Sequence, residues 1–324
     1  MELWIDFGWL ILGLVMLYFG AEWLVQGAAS VALKVGLTPL VVGLTVVAFG
    51  TSAPELLVSL QANLEDPPRG GFALGNIIGS NICNIALILG VAALVRPIQV
   101  NKQVLTRDTP IMIIISLAFV WMLRDQSIST VEAAILAGTL LLYIVTSIRK
   151  GLKSGEEAEV EGMDDEEIAA AKNASGAKVF VYILLIILGL ATLAVGANRL
   201  IEGGVGIAQT FGVPDVVIAL SLVALGTSLP ELATSIVASV KKQGDIIIGN
   251  VVGSNLFNIL AVIGITGLVA PLFSEEIKSV DLYFMIGLSV LSILFMATRK
   301  TIGRLEGVIL LALYVGYLAF TFQG

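Results

Sequence analysis

The sequence predicts an all-α polytopic membrane protein: ten transmembrane helices forming two inverted five-helix repeats, with broken helices at a midplane ion site. Three observations predict it. The 324-residue chain is 57% apolar and only 13% charged, and apolar runs of about 20 residues exceed what a soluble core needs. The chain also says nearly the same thing twice, GTSAPEL then GNIIGSNICNI, and later GTSLPEL then GNVVGSNLFNI. Finally, each copy places one glutamate, Glu55 or Glu231, inside a stretch otherwise apolar enough to cross a bilayer. A duplicated membrane unit with a polar, helix-breaking centre is the sequence signature of a secondary transporter.

The expected spans are 7–33, 38–64, 72–95, 109–123, 129–148, 178–208, 213–240, 246–270, 280–298 and 302–322. The first follows a start without the basic residues of a signal peptide, so it is expected to stay in the membrane. The second and seventh carry the GTSxPE motif, and the third and eighth carry the GNxxGSNxxNI motif. The first motif recurs at an offset of 176 residues and the second at 174, because one connecting loop is two residues shorter. From Leu12 to Leu56, 20 of 45 positions match their partner without a gap. Residues 1–150 therefore form the first repeat, 151–176 an acidic cytoplasmic loop, and 177–324 the second repeat.

The net charge of −7 says little about partners. Eight acids lie between Glu156 and Glu167 in the run EEAEVEGMDDEE. They are expected to form a solvated, mobile linker; a regulatory cation-binding segment is the alternative, though no EF-hand spacing is present. A lone cysteine, Cys83, excludes an internal disulfide, and the absence of histidine removes the commonest transition-metal ligand. It also removes the base that a serine nucleophile in GTSAP would need, so an enzyme reading fails. No cofactor and no nucleic-acid partner are expected.

Lys and Arg placement orients the chain. With the N-terminus outside, the cytoplasmic loops hold fourteen basic residues and the external side four, Arg69, Arg124, Arg199 and Lys278. Both termini are then outside, and the acidic loop is cytoplasmic, in a plasma (inner) membrane. Because each half has five spans, the second half enters from the opposite side. The copies are related by a pseudo-twofold axis in the membrane plane, which brings equivalent positions such as Glu55 and Glu231 together near the midplane.

The motif chemistry agrees. Proline removes a backbone donor and clashes with the preceding turn, so upstream carbonyls, including those of Ala48 and Ala224, are expected to leave the helical ladder. The hydroxyls of Thr51, Ser52, Thr227 and Ser228 lie within one turn of the glutamates. Ser80 and Asn84 are four apart on one helix face, as are Ser254 and Asn258. Every group gathered is an oxygen donor. Such a set suits Ca2+, which takes 6–8 oxygens at about 2.3–2.6 Å, and also Na+, whereas soft metals want Cys or His. Two facing acids in a bilayer demand that a cation or proton always occupy the site. An empty, doubly charged site crosses poorly, which is the physical basis of exchange rather than uniport. A passive channel would keep the oxygens but has no need of two broken, inverted motifs.

GTSxPE followed by GNxxGSNxxNI, twice within ten spans, closely resembles the sodium/calcium exchanger branch of the Ca2+/cation antiporters. The likeness covers almost the whole chain outside the acidic loop. It implies alternating access, with the first and sixth helices sliding across a bundle that holds Ca2+ or Na+, and a monomer as the working unit. It implies ion ligands at Ala48, Thr51, Ser52, Glu55, Ser80 and Asn84, and at Ala224, Thr227, Ser228, Glu231, Ser254 and Asn258. Several relatives carry Asp where this chain has Asn258, so the centre here has two Glu and two Asn. Sodium is the expected counter-ion, because hydroxyls, amides and carbonyls around two carboxylates make several monovalent oxygen cages, and H+, which needs only the carboxylates, is the alternative. Of the remaining residues, Asn81 and Asn255 lie one position off the proposed face and read as packing or capping groups. Cys83 reads as a small packing residue, and Glu22 as a paired or rim residue. Gly43, Gly75, Gly79, Gly249 and Gly253 read as places of close helix contact.

Overall fold

A chain immersed in hydrocarbon must satisfy its backbone internally, and this one does so almost wholly as helix. The computed structural model describes residues 2–66, 68–153, 162–213, 224–273 and 277–323. The first repeat comprises α1 (Glu2–Val35), α2 (Pro39–Thr51), α3 (Ala53–Asn63), α4 (Gly70–Val95), strand β1 (Ile98–Gln99), α5 (Val104–Asp125), strand β2 (Ser127–Ile128) and α6 (Thr130–Lys153). A short helix α7 (Asp165–Lys172) follows. The second repeat comprises α8 (Gly176–Thr210), α9 (Ala224–Gly226), α10 (Leu229–Val240), α11 (Gly244–Val269), β3 (Leu272–Phe273), α12 (Ser279–Arg299), β4 (Thr301–Ile302) and α13 (Arg304–Gln323).

Among the described residues, eight helices are long and apolar enough to cross a membrane, and the pair α2–α3, bent by 41°, makes a ninth. The expected span over 213–240 is described from Ala224 onward, as α9 and α10; residues 214–223 lie outside the described residues. The expected fourth span, 109–123, is longer in the structure, Val104–Asp125. Charged Arg107 and Asp108 make its start look like loop. The fold instead buries Asp108, pairing it with Arg107 (3.8 Å), Gln103 Nε2 (3.0 Å) and the Tyr143 hydroxyl (3.4 Å).

The inverted twofold is visible in small details. Gly36 and Gly212, equivalent positions, have φ of 72° and 73°. Each ends its helix with a bond five residues back, Leu37 N to Ala32 O (2.9 Å) and Val213 N to Ala208 O (3.0 Å), the αL termination that glycine favours. Strand β1 pairs antiparallel with β4, Ile98 opposite Ile302, and β2 pairs with β3, Ile128 opposite Leu272. These two ribbons are the same ribbon under the 174-residue offset. Because β1 precedes and β2 follows the single crossing α5, they lie at opposite ends of the bundle, and each joins one repeat to the other.

Burial sorts the helices. The most apolar 18-residue window of α11 is entirely buried and that of α4 is 78% buried, against 17% for α1 and 28% for α8. The two GNxxGSN helices thus form the centre, while α1 and α8 lie outside it and present Ile11, Leu14, Phe180 and Ile187 outward. Those outer helices run antiparallel along a seam of glycines seven residues apart. A Cβ on Gly20 would fall 2.9 Å from Gly189 O, and one on Gly196 would fall 3.1 Å from Gly13 O. Only hydrogen side chains permit that approach.

Where it is described, the acidic segment keeps Asp164, Asp165, Glu166 and Glu167 exposed, but it is helical over Asp165–Lys172. Residues 154–161, which carry the first four of its acids, lie outside the described residues. Asp164 and Glu167 form a reciprocal capping box at the start of α7. Ala171 and Ala174 are buried, and Lys34 Nζ of α1 reaches Lys172 O at 3.2 Å. A small apolar face and a strong cap are enough to dock two turns of helix against α1.

Candidate ion-binding centre

The break that builds the centre is local. Pro54 and Pro230 have no N–H to donate, and they sit at the starts of α3 and α10. Ser52 (φ −82°, ψ 3°) and Ser228 (φ −89°, ψ 3°) take the same non-helical turn just before them. Glu55 and Glu231 then occupy the first turn of each following helix, where the dipole favours negative charge. Both side chains are 99% buried. On the other wall, the regular helix gives way to a wider π-turn beginning at Asn84 and, equivalently, at Asn258, a distortion common at functional sites.

Most of the expected side chains converge across the two repeats. Ser52 Oγ donates to Glu231 Oε1 at 3.4 Å. Ser80 Oγ donates to Glu55 Oε1 at 3.5 Å, and Ser228 Oγ stands 3.5 Å from Ser80 Oγ. Thr51 Oγ1 lies 3.5 Å from Ser254 Oγ. Thr227 faces the Glu55 carboxylate, too far for a full hydrogen bond, and its hydroxyl has no closer partner among the described residues. Among the described residues, Oε2 of each carboxylate has no hydrogen-bond partner, and neither has Asn84 Oδ1 or Asn258 Oδ1. Among the described residues no Lys or Arg pairs with either acid, and no cluster of three or more His, Cys, Asp or Glu exists. The donor set is two carboxylates ringed by hydroxyl and amide oxygens. Unpaired buried carboxylates are costly, and a hard cation carried as substrate fits what these oxygens lack.

Some expectations need correcting. The Ala48 carbonyl does not leave the ladder: it accepts from Ser52 N at 3.0 Å. Pro54 removes the donor that would reach Gly50, four residues back, not Ala48. In the second repeat Ser228 N turns to Leu225 O at 3.1 Å, and Ala224 lies on the short helix α9. Asn81 is more than packing, because it accepts from Asn258 Nδ2 at 2.9 Å. Asn255 does bond within its own helix, to Val251 O at 2.7 Å. Glu22 pairs with Lys241 at 3.1 Å, and Cys83 is buried. Of the glycines, Gly43, Gly249 and Gly253 make the expected close contacts, whereas a Cβ on Gly79 would meet nothing within 4 Å among the described residues.

Two asparagines escaped the sequence reading. Asn250 Oδ1 accepts from Thr51 Oγ1 at 3.1 Å, and Asn76 Nδ2 donates to Ser59 Oγ at 3.1 Å and to Glu55 O at 3.5 Å. Both are the second letter of a GN pair that recurs in the two copies, which is the signal that marks them.

The comparisons with known proteins agree with this architecture. A family model described as sodium/calcium exchanger protein matches residues 5–149 and 181–323. The chain is 32% identical to the sodium/calcium exchanger MaX1 of Methanosarcina acetivorans, covering 98% of this chain and 99% of that one. It is 35% identical to the inner membrane protein YrbG of Escherichia coli, covering 97% and 95%. Among solved structures it resembles the sodium-calcium exchanger NCX_Mj soaked with 10 mM Na+ and zero Ca2+, with a TM-score of 0.83 and 32% identity over 98% of this chain and 99% of that one.

Proposed function

The chain belongs to the sodium/calcium exchanger family, and from that premise we propose that it is an antiporter exchanging Ca2+ for Na+ by alternating access at Glu55 and Glu231. The observation that carries the site is the pair of buried carboxylates from opposite repeats, each with an oxygen unpartnered and no cationic side chain paired to it among the described residues. Ca2+ bound between them neutralises the centre and lets it cross. Na+ ions replace it on the neutral oxygens and carboxylates, and the empty centre stays put because two unpaired charges in a low dielectric are expensive. Thr51, Ser52, Ser80 and Asn84, with Thr227, Ser228, Ser254 and Asn258, supply the remaining oxygens. The Ala48 and Ala224 carbonyls complete the ligand set once the helix break adjusts to the ion.

The glycine seam supports α1 and α8 as the pair that slides past the bundle, since close backbone packing along it ties the two helices into one unit. The bias of basic residues supports an orientation with both termini outside and the acidic segment cytoplasmic, in a plasma (inner) membrane. The working unit is a monomer, because the two acids come from one chain.

Sodium is favoured over protons because protons need only the carboxylates, whereas Asn84 has two unpartnered amide atoms in the same centre. In proteoliposomes held at one pH on both sides, an outward Na+ gradient is expected to drive uptake of radiolabelled Ca2+. Uptake driven by a pH gradient and indifferent to Na+ would make the protein a Ca2+/H+ antiporter instead. Uptake needing no exchangeable ion on the far side would make it a channel.

A further inference from the structure

Asn81, on the first repeat, holds Asn258 of the second. Asn258 Nδ2 donates to Asn81 Oδ1 at 2.9 Å, and Asn81 Nδ2 donates to the backbone carbonyl of Asn255 at 3.4 Å, with Met285 Sδ 3.8 Å away as a further acceptor. All three asparagines are buried. The polarity of this chain is set at one end, because a backbone carbonyl only accepts. Asn81 therefore turns its NH2 group toward Asn255, and its oxygen toward Asn258. Asn258 meets that oxygen with its own NH2 group, and its Oδ1 has no partner among the described residues.

We propose that Asn81 is a positioning residue that selects which atom of Asn258 faces the cation, presenting the oxygen and turning the nitrogen away. The proposal rests on the reading of Asn258 as an ion ligand. An amide swung the other way would aim a donor at a cation, so the relay decides between attraction and repulsion. The first repeat has no counterpart. Asn84, equivalent to Asn258, has neither amide atom bonded among the described residues, and Asn255, equivalent to Asn81, spends its Nδ2 on Val251 O at 2.7 Å. Asn258 is thus a preset ligand and Asn84 one that orients only when an ion arrives. Preset dipoles bind more tightly because no reorientation is needed at the moment of binding.

The test is a double-substitution cycle on the full chain in detergent. It reads the Ca2+ concentration that half-saturates binding of radiolabelled Ca2+, and the Na+ concentration that halves that binding. Asn81→Ala and Asn258→Ala are each expected to raise half-saturating Ca2+ about 3- to 10-fold, the size of one lost polar interaction. The double variant is expected to bind no more weakly than Asn258→Ala alone. Equal factors in both backgrounds would mean that Asn81 acts without Asn258 and would overturn the proposal, as would an Asn81→Ala protein that binds like wild type. Unchanged Ca2+ and Na+ values for Asn258→Ala would overturn the ligand reading itself, and the relay with it. Should Asn81→Ala not fold, Asn81→Asp keeps an acceptor for Asn258 Nδ2. In that background Asn258→Ala is expected to cost the same factor as in wild type, and a lost dependence on Asn258 would again overturn the proposal.

Discussion

The GTSAPE crossing of the first repeat and the GTSLPE crossing of the second share their chemistry but not their contacts. Thr51 Oγ1 is held by Asn250 at 3.1 Å and approached by Ser254 at 3.5 Å, while its equivalent, Thr227, faces Glu55 and is held by no asparagine among the described residues. Asn76, the equivalent of Asn250, bonds instead to Ser59 and the Glu55 carbonyl. The helix behind Thr51 presses on the GN helix of the other repeat, since a Cβ on Gly253 would fall 2.9 Å from Leu44 Cα. The positions equivalent to Leu40 and Leu44 are 216 and 220, outside the described residues. At Thr51 and Thr227, and at Asn250 and Asn76, where both copies are described, near-identical motifs make different contacts. An alternating-access carrier needs just that, a symmetric sequence whose two halves exchange asymmetric arrangements.

The largest expected effect falls where the halves are most alike. Glu55→Gln and Glu231→Gln are each expected to abolish Ca2+ uptake into proteoliposomes, because the loss of either charge leaves a divalent ion under-neutralised in a low dielectric. Near-normal uptake by either folded variant would remove the shared centre from under the comparison.

Accessibility sharpens the difference itself. In a Cys83→Ala background without cations, a methanethiosulfonate reagent is expected to modify Thr227→Cys roughly tenfold faster than Thr51→Cys, since Thr51 is buried and bonded. Equal rates would mean that the two crossings are alike in solution. The glycine seam gives a smaller and symmetric effect. Gly20→Ala would place a Cβ 2.9 Å from Gly189 O, and Gly196→Ala one 2.9 Å from Met16 Cβ. Both are expected to slow exchange several-fold by about the same factor, with half-saturating Ca2+ unchanged, because overpacking there costs about 1–3 kcal/mol without touching the ligands. Clearly unequal factors would show that the seam, too, is asymmetric. The smallest effect belongs to the segment that has no counterpart. Deleting Gly155–Glu167 removes the Asp164–Glu167 cap of α7, and exchange is expected to remain measurable with at most a changed Ca2+ dependence. Complete loss in a correctly inserted protein would make the segment part of the transport machinery.

Much of this was legible in the sequence because duplication makes each observation twice. Glu55 and Glu231 stand out for that reason, as does the Ser80/Asn84 face that reappears as Ser254/Asn258. What escaped depends on contacts between copies. Asn81 looked like a packing residue because helical periodicity puts it one position off the ligand face, and its partner Asn258 is 177 residues away. The fate of the Ala48 carbonyl turned on a two-residue difference in where a proline's missing donor is felt. Helix α5 was cut short because Arg107 and Asp108 read as loop until their mutual pairing, with Gln103 and Tyr143, was seen. Helix α7 was hidden by composition, since an acidic run masks a capping box and three consecutive alanines.

The two short ribbons also govern how such a chain can be made. Gln99 and Thr301 are hydrogen-bonded across 202 residues of sequence, so β1 waits for its strand partner until the whole second set of helices up to α12 has been made. Loop closure over that span comes late and slowly. The early helices enter the bilayer as a half-built shell, with the edge at Ile98 unpaired and Glu55 lacking the second wall of its chamber. A prematurely stopped chain would therefore be inserted yet never closed, and membrane quality control would meet it with an acid and a strand edge still bare.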